Sequence, residues 1–246
     1  MSFERPSAGV GPGAEPAPTP GPSEPGAAAE GGGTPLALQL QVLSTEHWSL
    51  LASRSLAWNE SFARAGMFLS ALSGAIVALA LVAQATAFGD GFRIFALVIL
   101  PVVLFIGLTT LIRLGLSNYH DSLCVLGMNR IRAAYFERVP EVRRYFVMPG
   151  HDDGAAVWRA MGQDPSMPMM AALLGGAPIL VIVLNAVVAG VIGAVAALQV
   201  QAAGSVAFIV GAAVFLVVFV AQLAWGRSEA LRERPEAAPM FPSPTE

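Results

Sequence analysis

Lysine is absent from the 246 residues, cysteine occurs once, histidine three times, and charged side chains make up only 13% of the chain. Soluble domains carry about 25% charged residues, so a surface that faces water all round is excluded first. The lone Cys124 excludes an intramolecular disulfide framework, a CxxC motif and a thiolate metal cage, and reads as a small buried apolar residue. A formal net charge of -3 leaves no basic field for nucleic acid to follow, so no nucleic-acid partner is expected. The use of Arg to the exclusion of Lys, beside the Ala, Gly, Val and Pro richness, reads as the codon bias of a high-GC genome.

The missing charge is also missing in blocks. No Asp, Glu or Arg occurs from Ala65 to Gly89, from Ile94 to Ile112 or from Pro165 to Gly226, and about 20 apolar residues suffice for a helix to cross a bilayer. With a mean hydropathy of +0.62, the expected class is an all-α polytopic membrane protein. Four transmembrane helices in two hairpins are expected, 66–88 with 93–112 and 172–198 with 205–225. A cytosolic helical stalk accompanies them, and the lipid bilayer is the first partner.

Around the spans the chain divides by composition. Residues 1–34, crowded with Pro and Gly, are expected to form a disordered tail, since they cannot bury enough apolar surface to offset chain entropy. The tail lacks the basic start and apolar core of a secretory signal; a Pro-rich docking arm is its functional alternative. Thr34 and Pro35 suit an N-cap and a first helical position. In residues 35–65, Leu36, Leu40, Leu43, His47 and Leu50 trace one helical stripe, and Trp48, Leu51, Ser55, Trp58 and Phe62 another. This helix either lies in the membrane interface or packs in a cytosolic stalk. Packing is favoured, because no Pro or Gly bends it before the first span.

Phe88 to Phe92 forms a short turn, and Pro101 is expected to kink the second span. In 113–164 the stripe Leu116, His120, Leu123, Gly127, Arg130 or Ile131, and Ala134 carries the second span onward as a helix that ends before Pro140. It runs antiparallel to the 35–65 helix. Glu141 to Val147 adds a turn or two, Pro149 to Gly154 a loop, and Ala155 to Gly162 a short helix capped by Asp152 and Asp153. Gln199 to Gly204 splits the second hairpin, and 226–246 is a cytosolic tail.

Thirteen of the fourteen arginines fall on the side of both termini, and only Arg93 on the other. The positive-inside rule then sets both ends in the cytoplasm of a cell inner membrane.

Function is less legible. Small residues at Gly66, Ser70, Gly74 and Ala78, and at Gly190 and Gly193, are expected to let helices approach closely and to support a homo-oligomer. The spans hold no ionisable side chain, which argues against carboxylate-driven transport. Their polar groups, among them Thr109, Thr110 and Gln222, are expected to bond between helices. Ser73, Gln84 and above all Asn185 are the candidates for a pore-facing exception. His120 with Asp121, and His151 with Asp152 and Asp153, lack the spacing of metal ligands. With no P-loop, GxGxxG or GxSxG, no catalytic, cofactor or metal residue is assigned, and an enzyme is the weakest class. Arg130, Arg132, Arg143 and Arg144, interleaved with Tyr135 and Tyr145, serve topology and lipid headgroups or, alternatively, dock a phosphorylated or acidic cytosolic partner.

The stretch from Leu40 to Gln84, LQVLSTEHWSLLASRSLAWNESFARAGMFLSALSGAIVALALVAQ, with GMNRIRAAYFE from Gly127 to Glu137, resembles an uncharacterised family of small integral membrane proteins from high-GC bacteria. That resemblance implies location and no activity. More remotely, the order of helix, two-span hairpin and returning helix is similar to SLATT-type membrane effectors, which implies a pore; the second hairpin here departs from that pattern. The expectation is a self-associating, non-enzymatic membrane scaffold or interaction protein, with an oligomeric channel or pore as the alternative and a small transporter as the second.

Overall fold

A computed structural model describes residues 34–162, 177–232 and 239–244. The Pro-rich tail up to residue 33, the first residues of the expected third span (172–176) and residues 233–238 lie outside the described residues. Those described are helical throughout, with no strand among them. Four helices are long and apolar enough to cross a membrane.

Two of these are far longer than a membrane is thick. Helix α1 runs from Leu36 to Thr86 and α2 from Asp90 to Arg138, 51 and 49 residues. At about 1.5 Å per residue each extends roughly 75 Å, against a hydrocarbon core of about 30 Å. Without Pro or Gly between Leu36 and Gly66 nothing breaks α1, and Pro101 sits inside α2 without ending it. The α1 start differs from expectation: Pro35 occupies the cap position rather than the first turn and makes no side-chain cap bond. Gln39 Nε2 donates instead to the Thr34 carbonyl at 2.7 Å.

The outer halves of α1 and α2 pair as an antiparallel stalk, which answers the choice left open for residues 35–65. Leu40, Leu43, His47 and Leu50 are half-buried, while Trp48, Leu51, Ser55 and Phe62 lie exposed on the other side. At Gly127 a Cβ would come within 2.8 Å of Leu50 Cδ1, so the helices touch there at backbone range. Beyond α2 a 3-10 turn covers Pro140–Tyr145, a loop follows, and α3 spans Gly154–Ala160. Asp153 caps α3 by accepting from the Ala156 N–H at 3.1 Å; Asp152, expected to share that role, is used elsewhere.

The second hairpin pairs α4 (Ala177–Gln199) with α5 (Gly204–Arg232). A Cβ at Gly190 would lie 2.9 Å from the Gly211 carbonyl oxygen, and one at Gly211 equally close to that of Gly190. A Cβ at Gly193 would meet Val214 at 2.9 Å. These small residues do what was expected of them. In the membrane-spanning part α2 packs against both α1 and α4, and α4 against α5, which leaves α1 and α5 at the margins. The apolar core follows that order, with Phe68 and Ala75 of α1, Ala96, Leu100 and Val103 of α2, and Val181, Ile182 and Val188 of α4. Arg93 joins the two turns: it pairs with Asp90 at 3.2 Å and donates to the Leu198 carbonyl at the end of α4 at 3.3 Å.

Candidate functional site

Three polar constellations stand out from the apolar background. The deepest lies inside the spans, where Asn185 of α4 has no exposure at all. Its Nδ2 donates to Gln222 Oε1 of α5 at 3.4 Å, while Asn185 Oδ1 and Gln222 Nε2 are buried without a hydrogen-bond partner. A Cβ built on Gly107 of α2 would fall 1.8 Å from Asn185 Oδ1 and 2.7 Å from the Phe68 ring. The amide oxygen therefore occupies the space in front of the Gly107 Cα, the placement of a Cα–H···O contact. Asn185 is thus sealed among helices and, within this chain, lines no conduit. Gly107, on which the Asn185 and Phe68 side chains converge, was not singled out in the sequence; a glycine in an apolar span carries no mark of what will press against it.

The other polar groups of the spans divide differently from expectation. Ser70, Thr109 and Thr110 return their hydroxyls to carbonyls of their own helix at Gly66 and Ile106, so they bridge no pair of helices. Ser73 and Gln84 are exposed on α1. So are Gly66, Ser70 and Gly74, with Ala78 half-exposed, and the two glycines have nothing within 4 Å of a built Cβ. The expected close packing of this stripe does not occur within the chain: α1 turns Phe68, Ala75 and Ala83 inward instead, and the small residues outward.

The second constellation ties the stalk together. Asp121 of α2 is buried and accepts from Arg54 Nε at 2.5 Å, Arg54 Nη2 at 3.2 Å and Trp58 Nε1 at 3.2 Å. Beside it His120 Nε2 bonds Ser53 Oγ at 2.9 Å, and one turn away Ser61 donates to Ser117 Oγ at 2.8 Å. Glu60 takes both Arg113 at 2.5 Å and Arg64 at 3.0 Å; those two guanidinium groups hold its carboxyl below the usual range. His120 and Asp121 point to different partners, as neighbours about 100° apart on a helix should. His47 faces the stalk interface with Nδ1 buried and unpartnered. Burial first, and then nearby Arg132, keep its imidazole neutral to lower pH than usual.

Comparison with known proteins gave no match: no family model, no curated protein and no solved structure aligns with the chain. The reading of the molecule therefore rests on its own geometry.

The third constellation lies at the far end of the stalk. Asn129 of α2 donates to the His151 carbonyl at 2.9 Å and Arg130 Nε pairs with Asp152 at 2.9 Å, which pins the 150–153 loop on α2. Onto this loop folds the segment that follows α5. Met240 and Phe241 N–H groups donate to Asp152 at 2.9 and 2.7 Å, and the Asp152 N–H donates to the Phe241 carbonyl at 3.1 Å. Ser243 gives Asp153 Oδ2 its N–H at 2.8 Å and its hydroxyl at 2.5 Å.

The arginine cluster is thereby divided. Arg130 serves this loop, and Arg132 is half-buried and bonds Asn129 Oδ1 at 2.6 Å. Each guanidinium thus commits one nitrogen within the chain, and the Arg130 side chain keeps 32% exposure. Arg143 and Arg144 remain exposed, set over the rings of Phe136 at 5.7 Å and Tyr145 at 4.8 Å.

Proposed function

We propose that this chain is a non-enzymatic multi-pass inner-membrane protein that self-associates through the outward face of α1 and holds its stalk in the cytoplasm as an interaction platform. The observation that carries this reading is an inverted surface. Outside the spans α1 exposes Trp48, Leu56 and Phe62 at 66%, 71% and 60%, where water should favour polar groups. Inside the spans the same side presents Gly66, Ser70, Ser73, Gly74 and Gln84 among the exposed Val77 and Leu81, where lipid alone should favour apolar bulk throughout. Lipid does not reach Trp48 or Leu56: they stand about 27 and 15 Å along a continuous helix from Gly66, and the headgroup layer adds only about 5–8 Å beyond the hydrocarbon, which takes in Phe62 alone. A second copy of α1 suits both halves, with apolar contact along the stalk and close approach of small residues in the membrane.

Both turns lie at the end of the bundle marked by Arg93, and every other arginine belongs to the stalk, the loop after it or the tails. That distribution supports cytoplasmic termini. Disulfide trapping tests the association. In a Cys124→Ser background, Ser55→Cys and Ser70→Cys should form cross-linked dimers in native membranes, and Val217→Cys on the outer side of α5 should not. Cross-links from α5 alone sink the α1 interface.

A pore is the second reading, favoured by the outward Ser73 and Gln84, which would meet at a seam between copies. Planar-bilayer recordings decide it: stepwise conductance abolished by Gln84→Leu supports the seam as a conduit, and a tight bilayer with inserted protein removes it.

A further inference from the structure

The clamp on Met240–Ser243 has the build of a receptor. Its recognition runs mainly through backbone: an N–H to carbonyl bond from Asp152, two N–H groups returned to the Asp152 carboxylate, and one N–H to Asp153. Such bonding fits any segment that bends here so that two successive N–H groups converge on one carboxylate, and side-chain contacts then select among segments. The selecting contacts here are the Ser243 hydroxyl on Asp153 and the seat of Phe241 and Pro242 beside Phe136. The Asp152 side chain is fully covered in the docked state. Emptied, it would keep Arg130 and lose two of its three donors, so the loop is poised for an occupant. The wall is firm as well, since a Cβ at Gly150 would come within 2.7 Å of the Phe136 ring.

An open groove of about 210 Å³ runs beside the resident segment, between Phe241 and Pro242 on one side and Ala133, Phe136, Arg143, Gly150 and His151 on the other. Met240 keeps 67% exposure, so the occupant is held by few contacts. Only six residues, 233–238, connect it to the end of α5, and a short tether supplies an effective concentration in the millimolar range that compensates for a weak intrinsic fit.

We propose that the 150–153 loop, with Arg130 and Phe136, is a binding site for bent aromatic–Pro–Ser segments of a partner protein, and that the chain's own Met240–Ser243 masks it until displaced. The open groove takes a bulkier aromatic side chain than Phe241.

The test uses the full chain in lipid nanodiscs and a labelled peptide of residues 237–246, AAPMFPSPTE. A chain with Phe241→Asp and Ser243→Asp leaves the site open and should bind this peptide at least tenfold more tightly than the wild-type chain. Peptides carrying Ser243→Ala or phosphoserine at 243 should lose at least tenfold, the latter because a dianion meets two carboxylates. A Phe241→Trp peptide should gain at least threefold. These peptide variants leave the protein untouched, so they still decide the matter if Asp152→Asn misfolds. Equal binding by open and wild-type chains, no binding by the open chain, or indifference to Ser243 overturns the site; a Trp peptide that binds no better overturns the assignment of the groove.

Discussion

Asn185 and Gln222 put two carboxamides where neither water nor lipid can serve them, and Gly107 is the residue that makes room. Because a Cβ there would lie 1.8 Å from Asn185 Oδ1, Gly107→Ala must push Asn185 and Phe68 out of place. The expected loss is about 1–3 kcal/mol, the usual range for overpacking, read as a lower midpoint of thermal unfolding in nanodiscs. Asn185→Ala in the same chain should restore part of it, since the oxygen that clashes is gone; an additive loss from the two changes would refute the contact. Asp121 is the stalk's counterpart. Its carboxylate is buried against Arg54, which keeps partial exposure, and removal of one partner of a buried pair costs more than removal of both. Asp121→Ala should cost about 3–5 kcal/mol, and Asp121→Leu combined with Arg54→Met clearly less, by the same unfolding measurement.

At the scale of elements, no glycine supplies the left-handed backbone of the first hairpin turn. Instead Ala87 and Phe88 take φ of 46° and 59°, Gly89 caps α2 at φ -72°, and Gly91 is inside the helix. Two consecutive left-handed residues with side chains store strain. Ala87→Gly should therefore raise stability by about 0.4–1 kcal/mol; a loss would mean that the methyl group packs usefully against lipid.

The spans, the antiparallel stalk and the end of α2 before Pro140 were legible because charge gaps, helical spacing and proline act locally. What faces what was not. The stripe Gly66, Ser70 and Gly74 announced a close contact, and the structure turns it away from its own chain, because Phe68, Leu72 and Ala75 fill the groove against α2 and α4. Period alone fixes which residues share a face, and packing volume decides which face goes inward. Arg54 lies 67 positions from Asp121, and Met240 lies 88 from Asp152, beyond the reach of any local pattern.

Across the whole molecule, the clamp joins the last segment of the chain to the far end of the stalk, so docking there depends on how two carboxylates are held. Burial alone would raise Asp152, but the Met240 and Phe241 N–H groups and Arg130 outweigh it and bring its carboxyl below the usual range. Asp153 follows the same balance, with the Ser243 hydroxyl and backbone N–H groups overcoming burial. The other charged or titratable groups around them are Arg143 on the 3-10 turn and His151 on the loop. A carboxylate whose value is depressed by docking favours docking fully above its free value, about 3.9 for Asp, and loses that favour as pH falls through the docked value. The segment should thus stay bound from pH 8 to about pH 5, and its hold should weaken progressively as pH falls below about 4. A fluorine label on Phe241 reports this by its NMR shift in nanodiscs. Asp152→Asn should remove most of the acid transition and leave the signal near its free position at every pH. A transition well above the carboxylate range would overturn that control, and the carboxylates would then act only as fixed acceptors.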